Sequence, residues 1–160
     1  MNGRFVFSWI WITLLPLSGC STLEESETRP TGQNVLDEAT LRQGQRGQVD
    51  FTTHVKPILE AKCVVCHNQE ALPGRMSLAS REEAQRSGTL GGFIRPGDPK
   101  SSPLLTRIDS AHIQVKAMPP VGESLTADET ALLKRWIAQG AFWPIGKDGD
   151  LDVNRAKSSR

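Results

Sequence analysis

Three reactive side chains stand within five residues at Cys63-Val64-Val65-Cys66-His67, and little else in the chain competes with them for chemistry. The 160 residues hold 3 Cys, 3 His and 3 Met, so every ligand candidate can be weighed in turn. Two side chains three positions apart on a helical turn face the same way. The imidazole that follows the second thiol then projects beside the pair. This spacing suits a zinc half-site, a dithiol redox pair, a structural disulfide, or attachment of a porphyrin through two thioethers with the histidine on its iron.

Only the last of these uses all three residues. Zinc needs two further ligands at a sensible spacing, and Cys20 lies in a targeting segment, while His54 and His112 do not form the usual pair. A thioredoxin-like pair requires a strand before it, and no β-branched run precedes Cys63. A disulfide leaves His67 without a role. The expected cofactor is therefore one haem c, bound covalently by Cys63 and Cys66, with His67 as proximal iron ligand.

The opposite face of the iron has four candidates once Met1 is assigned to a leader: Met118, Met76, His112 and His54. Met118 is favoured because it sits in Lys116-Ala117-Met118-Pro119-Pro120, where two prolines fix backbone dihedrals and stiffen the loop that holds a weak thioether ligand. Met76 alternates with Leu78 and reads as ordinary packing. His112 is the runner-up, and His54 reads as an exposed or capping side chain. A core role for Met118 is the competing interpretation.

Several helices must position these groups. Thr52 or Thr53 is expected to cap a helix through Lys62, with Pro57 in its early turns and Phe51, Val55, Ile58 and Leu59 at helical spacing, delivering Cys63. Ser80 with Glu83 predicts a short helix through Arg86, and Ser101 or Ser102 with Pro103 another through Asp109. Thr126 with Glu129 forms a capping box for the clearest helix, whose Leu132, Leu133, Trp136 and Ile137 make one apolar stripe before Gly140. That helix is expected to pack across the one delivering Cys63. The glycine clusters at 88–92 and 95–99 read as turns. An all-α, cytochrome c-like domain of short helices and loops wrapped around one covalently attached haem is the expected fold, with the porphyrin as its apolar centre.

The ends of the chain read differently. Residues 1–19 carry Arg4, an apolar run from Phe5 to Leu15 and a Pro16 break, the pattern of a signal peptide too short to span a bilayer. Leu17-Ser18-Gly19-Cys20 resembles the bacterial lipobox, which implies lipidation of Cys20, and Ser21 after it resembles the outer-membrane address. Acyl chains contribute about 0.8 kcal/mol per buried methylene, enough for several of them to hold a protein on a bilayer. Residues 20–48 read as a flexible tether, 49–145 as the haem domain and 146–160 as a disordered charged tail. A net charge of +1 with lysines and arginines spread among acids excludes nucleic acid as a partner.

From Val49 to Pro144 the chain resembles the small cytochrome c domain abundant in planctomycetes and related bacteria. The resemblance rests on Val49-Asp50-Phe51 with Lys56-Pro57-Ile58-Leu59, the Cys63–His67 motif, Met76-Ser77-Leu78, Pro96-Gly97-Asp98-Pro99 leading into Ser101-Ser102-Pro103-Leu104-Leu105, Met118-Pro119-Pro120, Leu125-Thr126, and Leu132 through Ala141 with Trp143. It implies a cytochrome c fold, His67 and Met118 as axial ligands, and electron transfer instead of turnover of a substrate. Because the family's domain is commonly fused to larger ones and here stands on a lipid tether, its redox partner is expected to be a separate protein, met by a monomer facing the periplasm. A small haem peroxidase and a haem-based sensor using exchange of the distal ligand are the alternatives.

Overall fold

The computed structural model describes residues 32–109, 117–120 and 124–154. In chain order these form α1 (Glu38–Arg46), a one-turn π-helix (Phe51–Val55), α2 (Lys56–Lys62), a 3-10 turn (Pro73–Arg75), α3 (Arg81–Arg86), a second wide turn (Thr89–Phe93), α4 (Pro103–Asp109), α5 (Ala127–Ala138) and a final 3-10 turn (Gly146–Asp148). No strand occurs among the described residues, only an isolated bridge between Leu90 and Ile94. The architecture is all-α, as expected.

The segment leading to Cys63 is not one continuous helix. Its cap is Asp50, whose carboxylate accepts the Thr53 N–H at 2.8 Å, and not Thr52 or Thr53 themselves. His54 closes the same turn from inside: its Nδ1 accepts the Asp50 N–H at 2.9 Å while the ring is 1% exposed, so it caps but is buried. Pro57 has no amide to give to the Thr53 carbonyl, which breaks the α-helical ladder where the π-turn hands over to α2. The wider turn brings Phe51, His54 and Val55 inward together.

Three aromatic rings centre the core. Phe51 lies 4.9 Å from Trp143 in a near-stacked pair and 5.9 Å from Trp136, and the two indoles meet edge-on at 6.1 Å. Each indole N–H is satisfied, Trp136 by the Phe142 carbonyl and Trp143 by that of Gly149, both at 2.8 Å. α5 carries the expected capping box between Thr126 and Glu129, buries Leu132, Leu133, Trp136 and Ile137, and ends at Gly140, whose φ of 101° suits only glycine. It packs on α1, α4 and the 51–55 turn, so its main neighbours are elements before and after α2.

Both boundaries of the packed region differ from the sequence expectation. α1, placed in the tether, is a capped helix with Leu41 3% exposed, held to α5 by Arg135, which donates to the carbonyls of Gly44 and Gly47 at 3.2 and 2.8 Å. Its docking is mostly polar and leaves no apolar stripe to read. In the expected tail, Leu151 is 7% exposed and its amide donates to Ala79 at 2.8 Å, while the Asp152 N–H reaches buried Glu60 at 3.0 Å. Residues 155–160 lie outside the described region.

Gly44 marks the closest approach of α1. A Cβ there would stand 2.6 Å from Leu132 Cδ2 and 2.8 Å from His54 Cδ2, inside fully packed side chains. Gly44→Val is therefore expected to lower stability by about 1–3 kcal/mol through overpacking, read as a lower urea midpoint with unchanged slope.

Candidate haem attachment site

The attachment loop grows out of the C-terminus of α2. Ile58 and Leu59 are fully buried and fix the helix, and the Leu59 carbonyl accepts both the Cys63 amide at 3.0 Å and the Val64 amide at 2.9 Å. The chain then coils once more: Cys66 and His67 amides donate to the Cys63 carbonyl at 3.2 and 3.0 Å. Val64, with no exposed surface, pins the middle of the loop in the core. Cys63 and Cys66 are thus brought together as free thiols, the first half-buried and the second exposed.

His67 is held from behind by the extended segment that follows. The Leu78 amide donates to the His67 carbonyl at 2.8 Å, and Met76 and Leu78 belong to the core. The imidazole is 7% exposed and its Nδ1 has no hydrogen-bond partner. Burial lowers its pKa below the usual histidine range, with the Met76 backbone working weakly the other way. Iron takes imidazole in its uncharged form, the form that this burial favours.

Burial pushes the Cys63 thiol up to about 12, reinforced by the buried Glu129 carboxylate and opposed by Lys62. Cys63 is accordingly a thiol, not a thiolate, at neutral pH.

Of the remaining candidates, Met76 is a packed core residue, 6% exposed. Met118 is half-buried, and its amide donates to the Arg107 carbonyl in the last turn of α4 at 3.0 Å. His112 and Cys20 lie outside the described residues. Among the described residues no three His, Cys, Asp or Glu side chains gather as a metal-ion site, so the thiol pair finds no zinc partners there. Sequence reasoning overlooked Asn68, next to His67 and 7% exposed, whose side chain makes hydrogen bonds to the middle of the loop and to the chain that follows it. Its signal was an amide directly after the motif, a residue type that binds nearby backbone in turns.

Two free thiols and a buried imidazole stand on an all-α frame, an arrangement consistent with a cytochrome c-like domain. Residues 63–122 match the family model described as Planctomycete cytochrome C, in keeping with the resemblance drawn from the motifs. The chain is also similar to hydrazine synthase subunit alpha of Kuenenia stuttgartiensis, 29% identical over 143 residues that cover 71% of this chain and 18% of that subunit. It therefore spans less than a fifth of that relative's length. No solved structure matches the chain. The match to this family model points to covalently bound haem c and haem-based electron transfer.

The thiol asymmetry has a direct test on protein made without haem. With a pKa near 12, Cys63 is ionised to only about one part in ten thousand at pH 8, so iodoacetamide is expected to label exposed Cys66 and spare Cys63 until the chain unfolds. The folded state holds this proton more tightly than the unfolded state, whose thiol ionises near 9.0. Its contribution to stability is complete below about pH 9 and is lost as pH rises towards 12, a loss expected in apo-protein melts and absent once Cys63 is a thioether.

Proposed function

We propose that this protein is a single-electron carrier with one haem, attached at Cys63 and Cys66 and ligated by His67 and Met118. The observation that carries the reading is the buried His67 imidazole, its Nδ1 without a hydrogen-bond partner, in one loop with two free thiols. The haem, when bound, supplies an iron that cycles between ferrous and ferric states. The chain's own residues do the rest. Cys63 and Cys66 would hold the porphyrin, His67 would offer a ring nitrogen to the iron, and the Leu78 amide ties the His67 backbone to the buried segment behind it.

Met118 suits the sixth position because its backbone is tied to Arg107 and followed by two prolines, a stiff support for a weak ligand. A thioether favours ferrous iron and raises the potential relative to a second histidine. Nothing then needs to bind at iron, which separates a carrier from a peroxidase. The relative is a subunit of an enzyme, and this chain corresponds to a small part of it, which supports a haem module working with a redox enzyme. In this reading the protein acts as a monomer, anchored through lipidated Cys20 on the outer membrane and facing the periplasm, as the lipobox-like Leu17–Cys20 supports.

Purified holoprotein is expected to carry one haem per chain and to show low-spin spectra in both oxidation states, with a near-infrared thioether-to-ferric charge-transfer band. Met118→Ala is expected to abolish that band and lower the reduction potential. A high-spin ferric resting state in the unsubstituted protein would defeat the carrier reading in favour of a site open to peroxide.

A further inference from the structure

The side chain directly after the imidazole is fully committed to the backbone around it. Asn68 Nδ2 donates to the carbonyls of Val64 and Val65, both at 3.0 Å, and Oδ1 accepts the amides of Glu70 and Ala71 at 2.8 and 3.1 Å. The two carbonyls belong to the residues between the cysteines. The two amides belong to the chain that leaves after His67. One primary amide therefore bridges the middle of the five-residue loop to the chain that leaves it, from a buried side chain.

The chemistry of the side chain is specific. Asparagine offers two donors and an acceptor on a short arm, aspartate offers no donor when ionised, and serine a single hydroxyl. Carboxylate oxygens in place of Nδ2 would face two carbonyl oxygens at hydrogen-bond distance, a repulsive contact.

We propose that Asn68 is a positioning residue for haem attachment, holding the Cys63–His67 loop so that both thiols meet their vinyl groups while the imidazole faces the iron. The inference rests on the haem reading above. In each attachment step the thiol S–H adds across one vinyl double bond: sulfur bonds to the carbon nearer the ring and the hydrogen ends on the terminal carbon. No oxidant or reductant is consumed. What the protein must supply is geometry, since the two additions share one rigid acceptor and a loop free to twist satisfies one at the expense of the other.

The full chain, produced with a haem-attachment system, tests this with Asn68→Asp, Asn68→Ala and Asn68→Ser. The expected result is a several-fold fall in doubly attached haem for N68D and N68A, seen as a red-shifted pyridine haemochrome band from an unreacted vinyl and as singly attached protein by peptide mass analysis. N68S, which keeps one donor and one acceptor, is expected to fall between and carries the comparison where the other two do not accumulate. Material that does load is expected to show a shifted reduction potential while keeping its low-spin spectrum and near-infrared thioether band, which loss of fold would abolish. Two thioethers, full haem loading and an unshifted potential in N68D, or in N68S where only it accumulates, overturn the proposal. Absence of covalent haem from the unsubstituted protein overturns the haem reading itself, and the Asn68 proposal with it.

Discussion

Two thiols and one imidazole within five residues must meet a single rigid planar ligand, and that demand governs how the surrounding chain is built. Relative placement has to be good to about half an ångström before either covalent addition is productive. Loops rarely provide such precision, so this one is made an extension of a helix: the Leu59 carbonyl accepts two successive amides, the Cys63 carbonyl two more, and Val64 is sunk in the core between the cysteines. Order at α2 is then inherited by the thiols. The π-turn before α2 serves the same end, because it directs Phe51, His54 and Val55 inward and anchors the helix at its start.

The apolar centre is not left to the porphyrin. A domain of about 100 residues that relies on its cofactor for burial has little side-chain core of its own, yet here Phe51, Trp136 and Trp143 interlock with Ile58, Leu59, Leu132, Leu133 and Ile137. Each large buried apolar side chain contributes about 1.5–3 kcal/mol relative to exposure. The frame can therefore hold the attachment loop in shape before haem arrives. Burial acts on the site in the same sense, pushing the Cys63 thiol up and the His67 imidazole down, each towards its uncharged form.

How much of this was legible depended on whether the signal was local. The capping box at Thr126 and Glu129, the stripe on α5, the cap at Ser80 and the proline start of α4 are short-range patterns, and each appears where the residues indicated. The cysteine and histidine motif is equally local. What escaped were decisions made by distant partners. α1 shows no apolar stripe because Arg135 and Gln139 hold it through backbone carbonyls and a glycine contact. Trp143, Arg81 and Glu60 draw the 146–154 segment and its neighbours onto the body, contacts 6 to 92 positions apart in sequence. Asp50 displaced the threonines as cap because Pro57 and His54 shifted the hydrogen-bond register after it.

The same long-range contacts change what the N-terminal segment does mechanically. A tether ending at residue 48 would leave the haem loop indifferent to any pull on the N-terminus. Instead the Val35 amide donates to Glu129 Oε1 at 2.8 Å, and Lys62 Nζ donates to the Gln33 carbonyl at 3.3 Å and the Ser124 carbonyl at 3.5 Å. Residues 33–35 are thereby clasped between the N-terminus of α5 and the last residue before Cys63. Glu129 is fully buried and also closes the capping box through the Thr126 amide, so releasing the strap would strip a buried carboxylate of one of its partners. Burying a carboxylate is costly unless its oxygens are satisfied, and here the strap supplies part of that satisfaction. The strap is for that reason part of the packed domain, joined to it at Glu129 and at Lys62, the residue that precedes Cys63.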